Sequence, residues 1–192
     1  MKETFDYLII GSGTAGSVLA NRLTENAKNK VLVLEAGGTD TTPYIHIPAG
    51  FMKTMVSDTV NWLYETSPVP AINSRIIGQP RGKTLGGSSS INGHIFNRGQ
   101  AMDFDVWAQM GNRGWSYAEV LPYFKRFEQR IGVFDPNLRG TNGPFAVTDI
   151  DWLHPLCDAY ISGATSLGIP LNPDYNGASQ AGVAYFQRSV YK

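Results

Sequence analysis

An α/β fold built on a parallel sheet is predicted by three features of this 192-residue sequence. The first is a short apolar run, FDYLII at 5–10, that enters the glycine turn GSGTAG at 11–16. The second is the helical spacing that follows, with Ala15, Leu19 and Leu23 stacked on one face. The third is VLVLEAGG at 31–38, four apolar residues in a row closing on an acid and two glycines. Such a run fits a strand buried on both faces. Strand, helix and strand in about thirty residues make a βαβ unit, and its crossover should be right-handed.

The turn between strand and helix carries chemistry. Gly11, Gly13 and Gly16 have the spacing G-x-G-x-x-G, and Glu35 closes the next strand about 20 residues on, as in a Rossmann-like dinucleotide-binding unit. Gly11 permits the tight turn, Gly13 lets a pyrophosphate touch the backbone, and Gly16 lets helix and strand pack closely. The first-turn amides and the positive end of the helix dipole stabilise the phosphates. Glu35 is expected to accept a hydrogen bond from a ribose hydroxyl. NAD and FAD share an adenosine diphosphate end, so this unit suits both.

Composition narrows the class. A 42% hydrophobic and 11% aromatic content supports a real core, and sixteen basic residues cancel sixteen acidic ones. No net field recruits nucleic acid or an anionic membrane surface, and no stretch approaches the ~18 apolar residues of a membrane span. The lone Cys157 excludes an internal disulfide, has no metal-ligand spacing, and reads as a small buried or half-buried thiol on a helix. A soluble, cytoplasmic chain is expected, without a metal.

Further along, 39–80 holds prolines at 43, 48, 68, 70 and 80 and should be irregular, apart from a short helix near 49–55. Phe104, Trp107 and Met110 predict a helix that stops at Gly111. A second helix starts at WSYAEV, where Ser116 and Glu119 form a capping box and Trp115 with Val120 can staple it. Pro122 should kink or restart that helix, which then continues through PYFKRFEQR. DPNLRGTNGPF at 135–145 is turn chemistry, a helix should run from Pro155 to Gly168, and Val183, Tyr185 and Gln187 predict a closing strand.

One stretch does not fit a plain nucleotide fold. RGKTLGGSSSINGHIFNRG, 81–99, holds five glycines and three consecutive serines. Backbone that cannot pack a core exists where something approaches it closely, and a second glycine loop suits a cofactor larger than NAD. GKTLGGSSSINGHIFNRGQAMDFD, 82–105, resembles the first signature of the glucose–methanol–choline (GMC) oxidoreductases: Gly82-Lys83, Leu85, Gly86-Gly87, Ser88-Ser89, Ile91-Asn92, Phe96, Gly99 and Asp105 match in turn. LIIGSGTAGSVLANRL, VLVLEAGG, NWLYET and NRGWSYAEVLPYFKRFE are similar to that family too, above all to its choline-dehydrogenase-like alcohol dehydrogenases. The resemblance covers nearly the whole chain.

The resemblance implies an incomplete Rossmann-like FAD-binding domain, the N-terminal portion of a two-domain GMC fold. Residues 1–150 would belong to the FAD-binding domain and 151–192 would open the substrate-binding domain. It places FAD contacts at Thr14, Ala15, Glu35 and Ala36, then at Thr84, Ser88, Asn92, Gly93, His94 and Ile95 along the flavin. Trp62 is expected to be a core aromatic rather than a cofactor contact. Some members of the family attach FAD covalently through a His just before the loop's Asn. Ile91 stands there and cannot form the bond, so noncovalent FAD is expected, and His94 is expected to lie near the ring.

The implied activity is oxidation of a primary alcohol by hydride transfer to flavin N5. The base of that chemistry lies near the family's C-terminus, and none of His46, His94 and His154 matches it, so no catalytic residue is assigned. His46 and His154 are expected to be structural or exposed. The implied partners are a small-molecule alcohol and the C-terminal remainder of the enzyme, on the same or a separate chain. Two alternatives stay open: a lyase of the hydroxynitrile-lyase kind that holds FAD without redox turnover, and a catalytically silent fragment. An NAD dehydrogenase would leave 81–99 without a role. A chain of this extent is also expected to leave strand edges unpaired and apolar faces bare.

Overall fold

The computed structural model describes residues 3–190. They form two compact units, one running to Gly93 and the other beginning at His94. The expected division at 150/151 is one of role, and it falls inside the second unit.

The first unit contains the predicted βαβ. Strands β1 (Tyr7–Ile10) and β2 (Val31–Leu34) pair in parallel with Tyr7 opposite Val31, and helix α1 (Thr14–Thr24) connects them. Gly11 N–H extends the pairing by donating to Leu34 O at 2.7 Å. The pair stands alone in its sheet. Burial on both faces, expected of VLVL, is therefore not what the structure shows: Ile10 is 85% exposed, and Leu8 and Leu34 are about half exposed. A parallel strand is covered only when further strands and helices flank it, and within this unit only Ile9 of β1 is buried. The helix is as bare, with Val18 and Leu19 open and only Gly16 buried.

Residues 39–80 hold the short helix expected there, α3 (Phe51–Thr54), after another single turn, α2 (Pro43–His46). They also hold an element that the prolines concealed. β3 (Tyr64–Glu65) pairs antiparallel with β4 (Gly78–Gln79). The ribbon is organised by Asn61, a buried side chain. Its Oδ1 accepts from Leu63 N and Arg81 N at 3.0 and 2.9 Å, while Nδ2 donates to Met55 O at 2.6 Å.

In the second unit, α4 (Ala101–Gln109) and α5 (Tyr117–Phe127) both start on capping boxes, Gln100 with Asp103 and the predicted Ser116 with Glu119. α4 ends before Gly111, which takes a φ of 101°. Pro122 lies inside α5, which runs through it as one helix rather than restarting. From that helix the chain passes at once into a strand that was not predicted, β5 (Glu128–Ile131), which pairs in parallel with β6 (Phe145–Thr148). Aromatic rings pack in succession across these elements, Phe145 on Phe127, Phe127 on Phe124, Phe124 on Phe104 and Phe104 on Trp107, at 5.5–6.3 Å between centroids.

Helix α6 (Pro155–Ser166) starts where expected, capped by His154, whose Nδ1 accepts from Leu156 N at 3.2 Å. Cys157 lies on it but is exposed, against the expectation of a buried or half-buried thiol, because a helix with no buried residue has no covered face to hold it. The predicted closing strand is also absent. Its backbone makes single bridges instead, Leu171 with Val183, and Arg188 with both Ile95 and Thr148. Its hydrogen bonds go to different neighbours in turn, so no ladder forms.

Candidate dinucleotide site in the first unit

The glycine turn opens α1 as the sequence requires. Gly11 has a φ of 92°. A Cβ on Gly16 would stand 1.9 Å from Gly11 O and 3.3 Å from Ile9 Cγ2, so only glycine lets the helix start this close to the strand. No side chain caps α1 and no acid occupies its first turn, so the first-turn amides have no side-chain partner from within the helix. Thr14 and Ala15 are exposed at that end.

The second glycine loop lies against the first. A Cβ on Gly87, whose φ is 58°, would stand 2.8 Å from Gly13 Cα. Thr14 and Ser89 bring their hydroxyls to 2.5 Å of one another, and Gly86 N–H reaches Ser12 Oγ at 3.4 Å. One partner that approaches the glycines is therefore another stretch of backbone. The loop turns through a 3₁₀ segment, Gly87–Ser90, closed by Ser90 Oγ donating to Leu85 O at 2.8 Å.

Glu35 does more than the ribose role expected of it. Its Oε2 accepts from both Ser12 N and Ser12 Oγ at 2.7 Å, and Oε1 accepts from Gly37 N at 2.9 Å. These bonds, the Ser12 amide foremost, hold its carboxyl below the ordinary value of 4.5. The Ala36 amide adds to these bonds, so the carboxylate, with about four acceptor sites, is anchored by the chain itself. Because the folded pKa is depressed, the stability Glu35 contributes is present above pH 4.5 and is lost as pH falls through its lower folded value. Glu35→Gln is accordingly expected to destabilise the chain at pH 7 and to match the parent below that window. Urea midpoints measured from pH 7 to pH 3 check this.

The other predicted contacts are unevenly presented. Ser88, Asn92, Gly93 and Ala36 are exposed, and Ser88 Oγ accepts from Gly82 N at 3.1 Å. Thr84 is wholly buried, its hydroxyl donating to Gly38 O at 3.2 Å. Ile91 is buried at 3% exposure. His94 and Ile95 begin the second unit, where His94 takes a φ of 62°. Trp62 is not the core aromatic expected: it is 40% exposed, stacked on Tyr64, with the Lys83 ammonium 4.6 Å from its ring centroid. His46 is exposed and bonded to Asp40 O at 2.6 Å. The reading from sequence missed Ser12 and Ser89. Ser12 occupies an unspecified position of the glycine motif, and Ser89 stands among three serines that spacing alone does not distinguish.

Helix amides facing out over a parallel strand pair, with an anchored acid beside them, define a dinucleotide-binding α/β protein. Comparison with known proteins makes this specific. The family model of the GMC oxidoreductases matches residues 5–191, and the chain belongs to that family. It is 47% identical over 187 residues to an oxygen-dependent choline dehydrogenase of Sinorhizobium fredii, covering 97% of this chain and 34% of that protein. A Rhizobium etli choline dehydrogenase is 46% identical with the same coverage. Among solved structures, pyridoxine 4-oxidase from Mesorbium loti superposes with a TM-score of 0.91 at 32% identity, over 98% of this chain and 37% of that one. A formate oxidase of Aspergillus oryzae gives 0.85 at 30%, over 97% and 34%. The chain thus spans about a third of the length of these relatives, and it corresponds to the N-terminal, FAD-binding part of such flavoproteins.

The residues present fit FAD. The first turn of α1 is uncapped and holds no acid, two hydroxyls stand beside it, and Gly13 and Gly87 let the two glycine loops meet backbone to backbone at that end. No described helix is long and apolar enough to cross a membrane.

Proposed function

We propose that this chain is the FAD-binding portion of an oxidoreductase that oxidises a primary alcohol, and that it holds FAD noncovalently. The observation that carries the reading is the packing of the second glycine loop against the uncapped start of α1. Gly11, Gly13, Thr14, Ala15 and Gly16 would hold the pyrophosphate through helix amides, and Glu35 and Ala36 the adenosine ribose. Thr84, Ser88, Asn92, Gly93, His94 and Ile95 would line the path toward the ring. Thr84, being buried, would act through its backbone and by fixing the loop. When bound, FAD supplies the hydride acceptor at N5. This chain's residues bind and orient it, while the base and most of the alcohol pocket would come from a C-terminal remainder. In this reading 1–150 carries the cofactor and 151–192 opens the substrate-binding part.

Buried Ile91 at the position before Asn92 supports noncovalent binding, since it offers no nucleophile. The test is the visible spectrum of the purified chain before and after acid precipitation. Flavin bands that pass to the supernatant are expected. Bands that stay with the pellet would overturn noncovalent binding, and a colourless chain that takes up no added FAD would overturn the cofactor reading.

A further inference from the structure

The end of the glycine loop, His94 to Arg98, is held by a polar network within the second unit whose partners all lie downstream of the loop. Non-glycine residues with positive φ persist only where their surroundings over-determine them, and His94 at 62° is such a residue. Its carbonyl accepts from Ser189 N at 2.8 Å and from Ser189 Oγ at 3.3 Å. Two residues on, Phe96 N donates to Gln187 O at 3.0 Å. Asn176, 3% exposed, then accepts from Arg98 N at 2.6 Å and donates to Phe96 O at 3.3 Å and to Gln187 Oε1 at 3.2 Å. Gln180 Nε2 closes the set by donating to Arg98 O at 3.0 Å. Every one of these partners lies in 176–189, some eighty to ninety-five residues downstream of the loop it holds.

A polar cluster this deeply buried fixes backbone geometry, because each of its groups forfeits water and is stable only with its partner in place. We propose that Asn176 and Gln180 are positioning residues for FAD: by holding Phe96 and Arg98 they fix the backbone that leaves the Asn92–Ile95 stretch assigned to the isoalloxazine ring. They touch no cofactor atom themselves. The inference rests on the assignment of Asn92–Ile95 to the ring end of the cofactor.

The test separates the two ends of FAD. ADP carries the half assigned to residues 11–36 and lacks the ring, so its affinity reports that half alone. In the intact purified chain, Asn176→Ala is expected to weaken FAD about tenfold while ADP changes by less than about twofold. The visible band of the bound flavin should shift with it. Gln180→Ala, at a half-buried site that the fold tolerates more readily, should act in the same direction by about threefold. FAD affinity and flavin band unchanged in Gln180→Ala would overturn the proposal. Equal losses for ADP and FAD in that variant would also overturn it, showing a merely structural role. If the parent chain binds neither ligand, the cofactor reading falls and this inference falls with it.

Discussion

Replacing Glu128 with glutamine is expected to lower the stability of the chain by about 3–5 kcal/mol. The side chain is wholly buried between two guanidinium groups. Its oxygens accept from Arg98 Nη2 and Arg139 Nη2 at 2.5 Å, from Arg139 Nε at 3.1 Å and from Gly140 N at 3.0 Å. Arg139 turns its other arm to Asp174 Oδ1 at 2.5 Å and Gln187 Oε1 at 2.8 Å. Two arginines and two acids make the cluster neutral. Burial pulls the Arg98 guanidinium below its ordinary value, and the Glu128 charge opposes that pull. A glutamine would leave two buried cations facing one acid and would aim an amide donor at a donor. The exposed Arg22–Glu25 pair on the first unit is the control: Glu25→Gln should cost less than about 1 kcal/mol. Urea midpoints of the two variants decide the matter, and similar losses in both would refute the buried-cluster account.

Gly16→Ala is expected to abolish nucleotide binding. The added methyl would stand 1.9 Å from the carbonyl oxygen of Gly11, a backbone atom that no rotamer change can move aside. The helix must then retreat from β1, carrying its amides away from the phosphates. Overpacking alone costs about 1–3 kcal/mol, and displacement of the phosphate cradle should weaken ADP and FAD together by at least about a hundredfold. Gly38→Ala is the matching neutral change, since its Cβ would meet nothing within 4 Å. Calorimetric titration of both variants with ADP checks the contrast; a Gly16→Ala chain that binds like the parent would remove the close-approach argument.

What could be read from the residues divides along a physical line. The βαβ unit, the glycine turn, the Ser116 capping box, the stop at Gly111 and the start of α6 were legible because each is decided by neighbours in the chain. β5 was not, because its inward residues are Glu128 and Arg130, both buried. A strand that buries charge shows no apolar alternation, and its pairing with an acid or base elsewhere is invisible to periodicity. The closing strand failed for the opposite reason. Val183, Tyr185 and Gln187 alternate properly, but the backbone around them is divided among separate partners. Within the site, the glycines were legible as places of close approach. That the neighbour is in part a second loop of the same chain, and that Ser12 shares the Glu35 carboxylate, depends on three-dimensional juxtaposition.

The bonds that hold His94 to Arg98 join residues 78 to 95 positions apart. A ribosome adds about 5–20 residues per second. The loop would therefore leave the peptidyl-transferase centre some 5–18 s before its last partner, Ser189, is made. The βαβ unit, whose strands are paired 24 positions apart, is complete long before then. Newborn chains would pass through a stage with a formed phosphate cradle and an unfixed ring end. FAD added to a translation reaction is expected to engage such chains by its nucleotide half first, and to gain its ring contacts only after synthesis has passed Ser189.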